Sequence, residues 1–344
     1  MGRVNRRILT LLAALIPVLV LGVVGSAVTV PFVALGPGPT FNTLGDVEGK
    51  QVVDVEGAPV DPTSGNLNMT TVSVRDGLNI FEAFVLWADG RYGLVPRAEV
   101  YPPGIPRDQI DKSNEQDFKD SEDSAELAAL HYLKYPTQVQ VRTVAEDGPA
   151  NGVLHKGDVL VSVDGKPATS SKDVVETVRG IKPDTVVPIV VRRDGGEQTV
   201  EVKVGARPDD KSKGYLGVTP EEVPQGPLDV TFNLADIGGP SAGLMFSLAM
   251  IDKMTPGQLN GGKFIAGTGT IDPDGKVGPI GGIQYKMIAA REAGAETFLV
   301  PADNCNEARQ RIPDGLNLVK VDTLDTAVKS LGDITAGREA PSCG

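Results

Sequence analysis

Two histidines, two cysteines and one tryptophan are present in 344 residues, and aromatic residues make up only 5% of the chain. A nucleophile activated by imidazole therefore has only His131 and His155 to draw on. His131 sits in a helical Ala/Leu run and His155 in a Gly-rich turn, so both read as structural or solvated. No Gly-x-x-x-x-Gly-Lys-Ser/Thr occurs anywhere. Gly275-Lys276 is followed by Val277 and lacks the spacing, which excludes an ATP-driven unfoldase within this chain. Positive charge is in deficit, with 33 basic residues against 45 acidic and a net charge of -12, which argues against nucleic acid as a partner. The acidic run 108–126 lacks the central Gly and terminal Glu of an EF-hand loop, so it reads as a solvated helix face or a mobile excursion. No cofactor and no metal is expected, and no internal repeat stands out.

What is present fits two or three domains, with 40% apolar and 23% charged residues. Residues 8–35 carry no charge and are rich in Leu, Val and Ala, and Arg3, Arg6 and Arg7 flank or precede them. About 20 apolar residues suffice to span a bilayer, so this run predicts a single-pass transmembrane anchor, with the N-terminus cytoplasmic and the remainder extracytoplasmic. Residues 36–42 read as a turn-rich exit, 52–55 and 70–74 as short strands, and 76–88 as a helix in which Trp87 is expected to pack. The expected divisions are 1–35 for the N-terminus and anchor, 36–125 for an extracytoplasmic N-terminal region, 126–207 and 208–333 for two further domains, and 334–344 for a loose tail.

The chemistry concentrates after residue 229. Residues 229–233 alternate and are β-rich, Gly238, Gly239 and Pro240 break the strand, and Leu244, Leu248 and Ile251 recur at helical spacing. A strand, a tight turn and a helix follow from this pattern. Ser241 then falls in the first helical turn, where the N–H groups of Ser241 and Ala242 have no partner within the helix and carry the positive end of its dipole, an oxyanion site. A serine needs a base. Lys286 follows the Gly-rich stretch 277–285 and opens a helix of small residues (Ala289, Ala290), where burial favours the neutral amine. Moving a lysine from about 10.4 to about 7 or 8 requires roughly 3 to 5 kcal/mol, which a folded domain supplies locally. Two other readings stand beside this one. The small residues around Ser241 serve close packing in a non-enzymatic scaffold, or a Gly/Ser turn at a helix start cradles phosphate in a small-molecule kinase.

Gly-Pro-Ser241-Ala-Gly, Ala266-Gly-Thr268-Gly-Thr-Ile, the block from Gly275 through Lys286, and Thr297-Phe-Leu-Val-Pro301 together resemble the Lon protease proteolytic domain over roughly residues 214–331. The resemblance implies Ser241 as nucleophile, Lys286 as general base and Thr268 as a hydroxyl that orients the lysine. Asp147-Gly-Pro-Ala150 and the block from Gly152 to Gly165, with a helix near 173–179 and strands near 186–191 and 198–204, resemble a PDZ domain over about 126–207. Such domains bind extended peptides by strand addition; a carboxylate-capture loop is not evident near Tyr135. The whole arrangement resembles the membrane-anchored PDZ-containing Lon-like serine proteases of bacteria. The implied fold class is α+β multidomain: an N-terminal transmembrane helix, a PDZ-like β-rich domain and a Lon-type α/β proteolytic domain of the ribosomal S5 domain 2-like kind. The implied function is ATP-independent cleavage of peptides or unfolded proteins, with a second copy of the chain as a candidate partner. With the catalytic domain on the oxidising side, Cys305 and Cys343 are expected to form a disulfide.

Overall fold

The computed structural model describes residues 6–234 and 237–344. In chain order its principal elements begin with α1 (Arg6–Ala27), β1 (Phe32–Asn42), β2 (Asn66–Arg75), α2 (Ile80–Asp89), β3 (Gly93–Pro96) and α3 (Arg107–Leu133). Next come β4 (Thr137–Val144), β5 (Val159–Val163), α4 (Ser171–Gly180), β6 (Val186–Arg193), β7 (Gly196–Lys203) and β8 (Val218–Pro224). The last are α5 (Gly243–Met254), β9 (Phe264–Gly267), α6 (Ile283–Ala293), β10 (Thr297–Pro301), β11 (Asn317–Val321) and α7 (Leu324–Thr335). They divide into two compact units: one of residues up to Asp54, Val60–Ala128 and Thr231–Gly344, the other of Val55–Pro59 and Ala129–Val230.

The first unit is built on a six-stranded sheet in the order β11-β10-β9-β2-β1-β3. The strands β11, β10, β9 and β2 run parallel, and β1 pairs antiparallel with both β2 and β3. Parallel strands covered by helices are expected to be apolar throughout, and β10 is: all five of its residues are buried. α5 is equally enclosed, with every residue from Gly243 to Lys253 buried, which marks a central helix rather than an amphipathic one. α6 packs over β1 and β2.

Residues 36–42 are therefore strand and not a turn-rich exit. β1 pairs with β2 from Ala34↔Arg75 to Pro37↔Val72, slips, and resumes at Thr40↔Thr70. Gly38 and Pro39 occupy the slip, where a proline without an N–H costs the ladder nothing, and the Thr71 hydroxyl donates to Pro39 O at 2.7 Å. Punctuation that reads as a loop in one dimension is here a bulge inside a sheet. Trp87 also departs from expectation: it is 62% exposed rather than packed.

The N-terminal transmembrane expectation is corrected. Among the described residues, no helix is long and apolar enough to cross a membrane. Arg3, one of the flanking arginines, lies outside the described residues. The fold class is thus α+β multidomain with no transmembrane helix among the described residues, and the single-pass placement with an extracytoplasmic catalytic domain is withdrawn with it.

The second unit is an antiparallel sheet in the order β7-β6-β5-β4-β8, with Val139, Val141, Leu160, Ile189 and Val191 in its core. α4 starts where the Ser170 hydroxyl accepts the Asp173 N–H at 3.1 Å. β8 ends the sheet and pairs along its length with β4.

In the first unit the chain's last residues return to the sheet. Lys320 N–H donates to Pro341 O at 2.8 Å, and Cys305 and Cys343 are bonded to one another. The segment read as a loose tail is tied at two points.

Candidate active site

Three chain segments far apart in sequence converge on Ser241. The first is the turn 238–242. Gly239 takes φ 88°, a left-handed conformation that favours glycine, and Ser241 and Ala242 follow as a turn, so Ser241 lies two residues before α5 rather than within its first turn. Met245 N–H and Phe246 N–H return to Ala242 O, which leaves the N–H groups of Ser241 and Ala242 outside the helical ladder. The second segment is the end of β9. A Cβ at Gly267 would meet Met245 Sδ at 2.7 Å and Leu299 Cβ at 2.9 Å; only glycine lets β9 pass this close, which sets the next residue, Thr268, deep in the unit. The third is the start of α6, where Gly282 at φ 68° caps the helix and Lys286 faces inward with Ile283 and Met287. Asn304 fixes the approach to this helix, accepting from Ile280 N–H and donating to Ile280 O, both at 2.9 Å.

Lys286 Nζ lies 2.7 Å from Ser241 Oγ and 2.9 Å from Thr268 Oγ1. The Thr268 hydroxyl donates its one proton to Ser241 O at 3.1 Å, so toward Lys286 it can only accept. This orients one amine hydrogen at Thr268 and leaves the nitrogen lone pair of the neutral amine for Ser241 Oγ–H. Lys286 is 2% exposed and Thr268 fully buried. Burial alone lowers the Lys286 pKa from 10.5 to about 7, with no charged neighbour contributing. A lysine of that pKa is half neutral at neutral pH and can take a serine proton.

Ser241 and Lys286 line a cleft of about 800 Å³, with Thr268 buried behind them. Its walls include Phe41 of β1, Met69 and Val72 of β2, Phe118 of α3 and Ile280. The expected residues Ser241, Ala242, Thr268 and Lys286 are thus brought together. Both histidines belong to the other unit, where His131 Nε2 lies 2.6 Å from Glu222 Oε1. Among the described residues no group of His, Cys, Asp or Glu is placed to hold a metal ion.

Sequence reasoning missed the contribution of α3. The run expected to be a solvated face presents Asn114, Phe118, Ser121 and Ala125 toward the turn and α5. Asn114 O accepts Gly239 N–H at 2.9 Å, Phe118 stacks edge-on with Phe246 at 5.8 Å between centroids, and Ser247 Oγ lies 3.0 Å from Ala125 O. The spacing i, i+4, i+7, i+11 is a helical stripe, and with only one large apolar residue in it the signal is weak against the surrounding charge.

In the second unit, a groove of about 390 Å³ runs between α4 and β8, lined by Val174, Val178, Leu216 and Val218. Gly214 permits it to close at one end, since a Cβ there would meet Val178 O at 2.2 Å.

The family model for the PDZ domain matches residues 107–204, and that for the Lon protease (S16) C-terminal proteolytic domain matches 235–332. Residues 107–204 are thus similar to a PDZ domain and residues 235–332 to the Lon C-terminal proteolytic domain. A probable periplasmic serine endoprotease, DegP-like, of Pseudomonas fulva is 41% identical over 86 residues, 25% of this chain and 18% of its own length. Lon protease of Lachnoclostridium phytofermentans is 35% identical over 94 residues, 26% of this chain and 11% of its own. Serine endoprotease DegS of Escherichia coli is 38% identical over 88 residues, 24% of this chain and 25% of its own. The chain spans a quarter or less of each of these relatives. The cleft's far wall, β1 and β2, lies outside both matched regions.

Proposed function

We propose that this protein is an ATP-independent serine endopeptidase in which Ser241 is the nucleophile, Lys286 the general base and Thr268 the group that orients the lysine. The observation that carries the reading is the 2.7 Å approach of Lys286 Nζ to Ser241 Oγ, made by an amine that burial holds at a pKa of about 7. In the proposed cycle the neutral amine takes the Ser241 proton as Oγ attacks the scissile carbonyl. The Ser241 and Ala242 N–H groups receive the developing oxyanion, and the ammonium returns its proton to the leaving amine. Water then attacks the acyl-enzyme by the same route.

The absence of a P-loop sequence supports ATP independence and, with it, substrates that are already flexible: peptides and unfolded segments that can enter an open cleft. The groove between α4 and β8 supports peptide recognition by strand addition to the edge of β8.

The test is turnover of a quenched peptide library together with labelling by a serine-reactive phosphonate. Ser241→Ala and Lys286→Ala should each remove turnover, the double variant should lose no more than either, and the label should map to Ser241. Turnover that survives in Lys286→Ala would reject the assignment of the base.

A further inference from the structure

The peptide planes on either side of Ser241 are each pinned by their carbonyl oxygen. After Ser241, its own carbonyl accepts from Thr268 Oγ1 at 3.1 Å and from Gly269 N–H at 3.0 Å. Before Ser241, Pro240 O accepts from the Ser121 hydroxyl of α3 at 3.1 Å. In a planar trans peptide the C=O and the following N–H point in opposite directions, and the described chain contains no cis peptide. Holding Pro240 O on the α3 side therefore turns Ser241 N–H away from α3. Holding Ser241 O on the Thr268 side likewise turns Ala242 N–H away from Thr268.

Ser121 is built into this place. Ser121 is 4% exposed, and glycine at position 243 gives it room: a Cβ there would lie 3.0 Å from Ser121 Oγ and 2.8 Å from Ile271 Cγ2. Two turns earlier on α3, Gly238 allows a close approach to Asn114, since its Cβ would meet Asn114 Cβ at 2.8 Å, and Gly239 N–H donates to Asn114 O. The nucleophile turn is thus fastened to one stripe of α3 at Asn114 and Ser121, while the hydroxyl of Ser121 has no route to the reacting atoms themselves.

We infer that Ser121 is a positioning residue for catalysis: through Pro240 O it aims Ser241 N–H as an oxyanion donor. This rests on the serine endopeptidase reading. Ser121 lies outside the region that resembles the Lon proteolytic domain, and its effect is felt only when the carbonyl oxygen becomes an anion, because a misaimed donor loses transition-state rather than ground-state interaction.

The experiment uses the full chain with a peptide substrate and a peptide boronate, which forms a tetrahedral adduct on serine. Ser121→Ala should lower kcat about tenfold or more with KM unchanged, weaken the boronate by the same factor, and leave the midpoint of the ascending pH limb in place, since the Lys286 surroundings are untouched. Ser121→Cys, with similar volume and a weaker donor, should fall between the two, and it decides the matter if the alanine variant does not fold. A wild-type kcat in either folded variant overturns the inference, as does a kcat loss without a matching loss of boronate affinity, which would indicate general loosening of the turn. If the wild-type protein neither turns over peptide nor binds boronate, the endopeptidase reading and this inference fall together. Normal wild-type turnover with an unaffected Ser121→Ala removes this inference alone.

Discussion

Each unit buries an ionised or ionisable group, and the two are treated in opposite ways. In the PDZ unit Asp158 is 2% exposed, and it is met by Arg193 through two hydrogen bonds of 2.6 Å and by His155 N–H at 2.8 Å. The Arg193 hydrogen bonds hold its carboxyl below the usual range in spite of burial. In the catalytic unit Lys286 is as deeply buried but meets only two hydroxyls, and burial brings it down to about 7. A compensated charge stays charged and braces a fold, whereas an uncompensated one gives up its proton near neutral pH, as the proposed role of Lys286 as base requires. Burial alone does not separate the two; the identity of the partners does.

The strongest test of that contrast replaces the amine. Lys286→Met, nearly isosteric and apolar, should reduce turnover by at least about 10³-fold and yet stabilise the protein. The sign follows from linkage. The folded pKa lies near 7 and the unfolded one near 10.5, so between these values the unfolded chain binds more protons and wild-type stability rises with pH. Below pH 7 the wild type carries the whole penalty, on the order of 5 kcal/mol, from which the lost hydrogen bonds subtract about 1 kcal/mol each. A net gain of about 3 kcal/mol for Lys286→Met at pH 6, shrinking toward pH 10, should appear in urea midpoints. A methionine variant no more stable than wild type at pH 6 would show that the lysine is compensated after all. The wild-type kcat/KM should rise with pH through a midpoint near 7, where the free amine forms.

The complementary substitution attacks the compensated pair. Arg193→Ala leaves Asp158 buried without its partner. Because the arginine side chain is 26% exposed and water can reach the site, the expected cost is about 2 kcal/mol rather than the larger figure for a sealed pair. Asp158 is a group of depressed pKa, so its contribution is present above about pH 4 and is lost as pH falls through its lower folded value; the penalty of Arg193→Ala should fade in the same window. Cleavage of a short peptide and the limb near pH 7 should stay as in wild type. A shifted limb would mean that the pair is not merely structural.

Much of the site was legible because its parts are local. A β-rich alternation, Gly-Gly-Pro, a serine and a helical apolar period describe the turn before α5, and a lysine opening a helix of small residues describes α6. What stayed hidden depends on long-range pairing. Residues 36–42 carry turn residues that the structure absorbs in a bulge, so β1 and β2 join the sheet of the catalytic unit instead of forming a separate small element, and they supply Phe41 and Met69 to the cleft. α3 looks solvated because its charges outnumber the four residues that face inward. A carboxylate-capture loop is not evident beside Tyr135, and the strand that completes the sheet of the second unit is β8, beyond the bounds of 126–207 that the sequence suggests for that module. The transmembrane reading follows the hydropathy of a run, whereas among the described residues no helix is long and apolar enough to cross a membrane.

The smallest effect is expected where neither unit's buried charge is involved. Cys305 and Cys343 close a span of 38 residues in the catalytic unit, and the chain-entropy relation gives about 4 kcal/mol for a loop of that length. Most of that span is held without the bond: β11 and α7 lie inside it, Val319 bridges Ser342, and Lys320 N–H holds Pro341 O. Reduction therefore frees little beyond the final residues, and the bond adds about 1 kcal/mol to the unit as a whole. Cys343→Ser should lower Tm by a few degrees or less and leave kcat and the pH limb unchanged, because the thiol pair reaches the site only through the core it shares with Ile283 and Met287 of α6. A variant that keeps its Tm but shifts the limb would reveal that the bond bears on Lys286 through that helix, and the contrast between a bracing tie and a tuned base would then have to be redrawn inside a single unit.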